Sequence, residues 1–330
     1  MDGPSTLPAT GTGDIDSRRF IGWMWMSADS LFLCPQCRQP LPVRPPCSCG
    51  FLLRESSGII NLMTDQESAV VQPFLDVYEQ VRRDERWGGD DLDLPFHPRR
   101  HRDIWRIRQH TFRKFESVVA DAKRGIALDI GAGNCWMTRY LDRWGFDAIA
   151  LDINTSGMDG LRAGRKFIDE GAAFLRVRSG MERLPFLPER IKLLATNASF
   201  HYASDFRTAL SEFERVLTPG GMIAIVDSPF YENAADGERM MAERVVEFRR
   251  KYGMPETFAR RSRYLTYKGL EEMVRSLNLS CQVLPVWPGF RRSYEAIRAK
   301  FAGRNIAEFP VVVIEKHFAM GWNRDTSHGS

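Results

Sequence analysis

The stretch ALDIGAGNCWMTRYL, residues 127–141, decides the fold. An apolar run ends in Asp129, a turn of Gly131, Ala132 and Gly133 follows, and a helical pattern comes after it. A strand that enters a helix through glycines opens a nucleotide-binding α/β unit. The residues around the turn narrow the ligand. A phosphate loop needs Gly-Lys-Ser/Thr after the turn, and none is here. A dinucleotide site wants a third glycine where Trp136 stands, and a carboxylate at Asp129 sits poorly beside a pyrophosphate. A cationic ligand with a ribose and no phosphate fits both residues. Asp152, at the end of the next apolar run, has the spacing of a carboxylate that grips ribose hydroxyls.

Outward from this point the pattern repeats. IALDI, DAIALDI, AAFLRVR, IKLLATN and MIAIVDS read as five strands, and QVLPVW and FPVVVIEKH as two more. Helical stretches around 135–144, 157–169 and 204–217 separate the first five. Strands alternating with helices predict a parallel sheet covered on both faces, with the ligand at the carboxyl ends of the strands. Upstream, residues 64–86 read as a helix with Pro73 at a start or kink. Residues 99–123 read as another, with Ile104, Ile107, Phe112, Phe115 and Val119 as its apolar stripe. DGERMMAERVVEFRRKYG predicts a further helix inserted after the fifth strand.

The chain has 330 residues, 43% hydrophobic and 27% charged, with a net charge of +4. That is ordinary for a globular protein with a sizeable core, and too mild a charge to indicate nucleic acid by itself. No apolar run has transmembrane length. Residues 1–27 are expected to be disordered, with FIGWMWM packing on the surface or in a partner groove, and 318–330 to be a flexible tail. Absence of a targeting pattern predicts a cytoplasmic protein, whose six cysteines stay reduced or bind metal.

Four of those cysteines crowd into CPQCRQPLPVRPPCSCG: Cys34, Cys37, Cys47 and Cys49. Two close thiolate pairs in a Pro-rich segment can close a tetrahedral structural Zn2+ site, and zinc can supply the folding energy that the segment lacks. The organisation expected is a zinc-ribbon-like module at 28–63, a helical linker or cap at 64–124, and the main domain at 125–317. Residues 230–265 form a helical insert near the acceptor.

The chain resembles the class I S-adenosylmethionine (SAM)-dependent methyltransferases. LDIGAGNCW is similar to their first motif, ALDIN to the acidic end of strand two, and MERLPF to the segment after strand three. NASFHYASD is similar to the segment after strand four, and LTPGG to the turn into strand five. The resemblance covers roughly residues 100–317. It implies a Rossmann-like, doubly wound, seven-stranded sheet and SAM as cofactor. It also implies that Gly131, Ala132 and Gly133 lie against the methionine part and that Asp152 is the ribose ligand, with Asp129 and Ile153 also among the cofactor-binding residues. Met181 falls at the adenine, and Asn197 and Ala198 at the lip beside the methyl group. The chain departs from the family at Cys135, in place of the third motif glycine. It also has Gly180 where an acidic adenine partner is common, with Glu182 two residues on. Cys135 is read as a small, half-buried residue of the helix start.

The cysteine segment resembles the zinc ribbons of Trm112-like proteins, and SSGIINLM their tail, although the second pair is C-x-C, which leaves Cys47 one residue late. A ribbon ahead of a SAM domain also resembles ribosomal RNA guanine-N1 methyltransferases. Arg99, Arg100, Arg102, Arg106, Arg108, Arg113 and Lys114 would suit RNA, but they also read as a solvated helix face beside Asp84, Asp90, Asp91 and Asp93. The expected acceptor is a small molecule or a glycan- or lipid-linked group, methylated at O or N and enclosed by the 230–265 insert and the C-terminal helix. RNA is the second reading, and a non-catalytic SAM-binding partner module the third. Methyl transfer needs a base only for a protonated acceptor. His201, Tyr202 and Asp227 are the catalytic candidates, with Tyr202 and Tyr231 also read as pocket walls.

Overall fold

The computed structural model describes residues 31–42, 46–88, 91–122, 124–253, 258, 260–287, 289–301 and 303–317. The expectations for residues 1–27 and 318–330 lie outside them.

Side-chain alternation explains how the sheet is covered. In β3 (Ile126–Ile130) and β4 (Asp147–Asp152), Leu128, Ile130, Ile149 and Leu151 point to one side, and Ala127, Ala148 and Ala150 to the other. Ala195 of β6 (Ile191–Asn197) and Ala224 of β7 (Leu217–Val226) extend the small side. A face of alanines leaves room for bulky helices. Phe112 and Phe115 of α2 (Arg102–Val119) and Trp136 and Met137 of α3 (Trp136–Arg143) fill it. The opposite face, of leucine and isoleucine, packs on Leu210 and Phe213 of α5 (Phe206–Val216). Both faces are therefore dry, as a parallel sheet requires.

The remaining strands are β1 (Arg54–Ser56), β2 (Ile59–Asn61), β5 (Leu175–Arg178), β8 (Phe230–Tyr231), β9 (Leu265–Thr266), β10 (Ser280–Leu284) and β11 (Val311–Glu315). The main sheet runs β1-β2-β5-β4-β3-β6-β7-β11-β10, and β8 pairs with β9 apart from it. β5, β4, β3, β6 and β7 are parallel, and β11 is antiparallel to both neighbours. The expected sheet of seven strands is thus one of nine. The two additional strands are the hairpin β1–β2, whose second strand lies parallel to β5. Its turn is Ser57–Gly58, with both residues at positive φ. Arg176 of β5 is buried beneath it and donates to the carbonyl of Ser57 at 2.8 Å. A Cβ at Gly58 would stand 2.4 Å from that guanidinium, so the position requires glycine.

The cysteine segment is built into the same body. Phe32, Leu41, Cys34 and Cys47 are buried in the core cluster that contains Leu128 and Phe186. α1 (Asp65–Asp84) follows the hairpin. Thr64 and Glu67 form a reciprocal capping box that fixes its start, and the helix runs through Pro73 rather than starting there. In α2 the buried stripe is Trp105, Phe112, Phe115 and Val119, while Ile104 is exposed. The other helices are α4 (Arg165–Asp169), α6 (Ala234–Tyr252), α7 (Tyr267–Ser276) and α8 (Phe290–Phe301). No helix among the described residues is long and apolar enough to cross a membrane.

Phe112 is fully buried and touches Trp136, Tyr140 and Trp144 with ring centroids 4.8–5.5 Å apart. Phe112→Ala should cost ~3–5 kcal/mol in a denaturant titration. A loss below ~1 kcal/mol would mean that α2 does not depend on this contact.

Candidate cofactor site and an adjoining cavity

A cavity of about 580 Å³ lies over the carboxyl ends of β3, β4 and β6. Asp129, Gly131, Ala132 and Gly133 line it. So do Asp152, Ile153, Met181 and Asn197, so the eight residues expected at one ligand share one cavity. α1 roofs it with Phe74, Tyr78 and Arg82, and α2 with Trp105 and Arg108.

The turn spends its amides internally. Gly131 and Ala132 both donate N–H to the carbonyl of Leu151, at 2.7 and 3.1 Å. Gly133 donates to Asp152 Oδ2 at 2.8 Å. None of the three amides is left for a phosphate, which a phosphate-binding turn would have to supply. Gly131 is also sterically required. Its φ is +68°, and a Cβ would stand 2.3 Å from the side chain of Ser199.

The cavity offers carboxylates instead. Asp129 is 1% exposed and accepts from Thr138 Oγ1 at 2.6 Å, while its Oδ1 is buried without a partner. Burial pushes its pKa up to about 7. Asp152 accepts from Gly133 and from the amide of Asn154, each at 2.8 Å, and burial raises it to about 6. Asn197 donates Nδ2–H to Asp227 Oδ2 at 2.9 Å, which leaves Asn197 Oδ1 buried and unpaired. Two orphaned acceptors and two half-satisfied carboxylates suit a ligand with a cationic donor and hydroxyls. Glu182 is already engaged, since its Oε1 accepts from Ser204 N–H at 2.6 Å and Ser204 Oγ at 2.9 Å.

A second cavity, of about 670 Å³, adjoins the first. Tyr78, Arg82, Arg108, Ala198 and Tyr202 line both. α6, from the expected insert, forms part of its wall, and so do residues 304–307 and Phe309. The C-terminal helix α8 contributes none of the described lining, a difference from the expectation. The three catalytic candidates separate here. Tyr202 stands at the junction, its ring 6.3 Å edge-on from Tyr78. His201, Asp227 and Tyr231 line the second cavity alone. His201 is buried with Nδ1 3.3 Å from Ser228 Oγ, and burial, reinforced by nearby Arg244 and Arg108, drives its pKa down to about 3. Such a ring is a poor proton acceptor. Asp227 accepts from Thr111 Oγ1 at 2.7 Å and from Asn197, so its carboxylate orients the lip. Cys135 is fully buried, not half-buried, and burial raises its thiol well above the usual range.

Sequence reasoning missed Arg82 and Arg108. Arg82 forms an ion pair with Asp159 at 2.5 Å and lies over the ring of Trp87, 4.2 Å from its centroid. Arg108 had been grouped with a solvated basic face, yet it lies over Trp105 and lines both cavities. Its signal was its place between Trp105 and Phe112 on the buried stripe of α2.

The four cysteines converge. Their sulfurs all lie within 4.8 Å of one another. Cys34 Sγ is 3.6 Å from Cys49 Sγ, and Cys37 Sγ 3.6 Å from Cys47 Sγ. A tetrahedron of thiolates around zinc at about 2.3 Å has edges of ~3.8 Å, so the set fits such an ion, Cys47 included.

Fold and cavity together define a nucleotide-type α/β domain whose turn avoids phosphate. Residues 128–225 match the model of the methyltransferase domain family. The malonyl-acyl-carrier-protein O-methyltransferase of Salmonella typhimurium is 29% identical over 118 residues, 36% of this chain and 45% of that protein. The glycine/sarcosine/dimethylglycine N-methyltransferase of Actinopolyspora halophila is 27% identical over 154 residues, 46% of this chain and 27% of that protein. Across the first three relatives the chain spans 39–61% of their length. The YcgJ protein of Bacillus subtilis shares the fold, with a TM-score of 0.50 at 18% identity over 64% of this chain and 100% of that one. The likeness to these proteins lies in the methyltransferase domain, which the chain matches over residues 128–225.

The neutral His201 ring gives a direct check. Its imidazole signals should not titrate at any pH above about 3 at which the protein stays folded. A midpoint near ~6.5, the ordinary value, would restore it as a candidate base.

Proposed function

We propose that the protein transfers a methyl group from SAM to a small-molecule or glycan- or lipid-linked acceptor, at oxygen or nitrogen. The observation that carries this reading is the turn at Gly131–Gly133, whose amides are consumed while Asp129 and Asp152 face the cavity. SAM, when bound, supplies a methyl on a sulfonium, whose transfer to an acceptor lone pair leaves a neutral thioether. Asp129 Oδ1 and Asn197 Oδ1 would accept from the ligand's ammonium, and Asp152 from the ribose hydroxyls. Ile153 and Met181 would flank the base. Positioning then contributes most of the rate. Tyr202 and Ala198, on the junction, would meet the acceptor. His201 and Asp227 are assigned positioning roles, because one is held neutral and the other is occupied by Thr111 and Asn197. An acceptor that arrives with a free lone pair needs no base.

The RNA reading has less support. Arg108 is turned inward, Arg99 pairs with Asp91 and Arg106 with Asp103, so three of the seven basic residues are engaged within the chain. We further assign Cys34, Cys37, Cys47 and Cys49 to a structural zinc ion, which would tie residues 31–50 to the core and leave no open coordination position for chemistry.

Calorimetric titration tests the cofactor. SAM should bind and NAD should not, and Asp152→Ala should weaken SAM by ~1–3 kcal/mol. Tighter binding of NAD than SAM would overturn the reading. The pH dependence has a defined sign. Burial raises both carboxylates, so the free protein loses stability as the pH rises from the ordinary carboxylate range up to about 6 for Asp152 and about 7 for Asp129, and no further above. A cation offsets that cost. SAM affinity and its thermal stabilisation should therefore grow over this interval and level off above it.

Elemental analysis tests the metal. Protein purified without added metal should carry one zinc per chain, and Cys47→Ser should lower both zinc content and melting temperature. A fully folded, metal-free wild-type chain would rule the ion out.

A further inference from the structure

Arg108, on the wall shared by the two cavities, and Arg244, on the far wall of the second, are its two arginines without a direct ion pair among the described residues. Arg108 lies over the rings of Trp105 and Trp87, 4.8 and 5.7 Å from their centroids. It forms no ion pair among the described residues. Asp159 is paired with Arg82, and Asp227, which attracts Arg108 electrostatically without direct contact, accepts only from the neutral Thr111 and Asn197. Arg244 of α6 has the clearer deficit. Its Nη1 donates to Ser262 Oγ at 2.8 Å, but its Nε is buried with no partner. The other arginines of the second cavity are paired: Arg239 with Asp236 at 3.3 Å and Arg304 with Glu243 at 3.4 Å. Arg108 and Arg244 both line the second cavity, together with His201. Tyr78 and Tyr202, also on the shared wall, have no hydrogen bond from their hydroxyls among the described residues.

A partly desolvated guanidinium with an unpaired buried donor, as at Arg244, is a costly arrangement for an empty cavity and a strong recognition element for a filled one. Its planar fork matches an anionic oxygen pair. Asp227, Asp236 and Glu243 share the same lining, which disfavours a doubly charged phosphate and leaves room for a single negative charge.

We propose that the second cavity receives an acceptor bearing a carboxylate, which Arg108 and Arg244 hold and Tyr202 orients toward the first cavity. The proposal rests on the first cavity being the SAM site. It narrows the acceptor to anionic small molecules or chains ending in a carboxylate. It also accounts for a basic cavity whose only histidine among the described lining is held neutral.

The test uses the full-length protein saturated with S-adenosylhomocysteine. Straight-chain mono- and dicarboxylates from acetate to decanoate are titrated by calorimetry, each against its primary amide and the matching alkyl phosphate. At least one carboxylate should bind ~10-fold or more tighter than its amide, because the amide leaves the guanidiniums unpaired. Arg244→Gln and Arg108→Gln should each erase that preference, and Arg244→Lys should keep part of it. No acid-over-amide preference anywhere in the series, or one that survives both glutamine variants, overturns the proposal. Tighter binding of the phosphates overturns it in favour of a phosphorylated acceptor.

A second arm separates the acceptor's carboxylate from that of SAM itself. SAM and 5′-methylthioadenosine, which lacks the amino-acid part, are titrated into the wild type and Arg108→Gln. Similar SAM affinity in both proteins supports the acceptor assignment. A loss of ~10-fold or more for SAM alone, with methylthioadenosine unchanged, reassigns Arg108 to the cofactor and overturns the acceptor subsite. Failure of the wild type to bind SAM at all is a different result, and it removes the methyltransferase reading underneath.

Discussion

The hydrogen bonds from the glycine turn to β4 set the chemistry of the site. Gly131 and Ala132 close on the carbonyl of Leu151, and Gly133 closes on the carboxylate of Asp152. A backbone N–H can be given once. A turn that gives its amides to a neighbouring strand has lost its capacity to wrap a phosphate, and the carboxylates around it become the dominant feature. The same few bonds leave no free amide of the three for a phosphate and set two carboxylates in the cavity lining. They also hold Asp152 at the cavity wall with acceptor capacity to spare.

The small face of the sheet makes this arrangement affordable in space. Ala127, Ala148, Ala150, Ala195 and Ala224 leave a shallow surface into which large rings descend. Phe112, Trp136, Tyr140 and Trp144 pack edge to face and in offset stacks on that side. Trp136 belongs both to this cluster and to the cavity lining. The aromatic packing and the ligand wall are therefore one structure, and the bulky residue at the start of α3 has a packing reason that a glycine could not satisfy.

Local chemistry was legible in the residues. The turn, Asp129 and Asp152 follow from strand period and glycine placement, although Asp152 meets Gly133 from the end of the next strand. The cysteine pairs announced their own convergence. What escaped depended on distant chain. β1 and β2 are three residues each, and β1 is polar throughout, so only pairing against β5 gives them meaning. Arg108 escaped for a related reason. In a run of basic residues it looks like its neighbours, and its burial depends on Trp87 and Arg82 arriving from the preceding helix and loop. A charged residue in register with an apolar stripe is the cue that would have separated it. His201 lines the second cavity, and nearness to a strand end does not say which cavity a ring enters.

The β1–β2 hairpin does more than lengthen the sheet. β5 would otherwise be an outer strand, with a row of backbone donors and acceptors open to any extended chain. Instead β2 occupies that row, and Arg176 clasps the hairpin turn from below. The segment just before the hairpin is the one that holds the four cysteines and packs into the central core. The redox or metal state of those sulfurs is thereby linked to the protection of a sheet edge. Loosening residues 31–61 would present β5 as a template for pairing with other molecules. The hazard created by damage to the cysteine cluster is thus self-association.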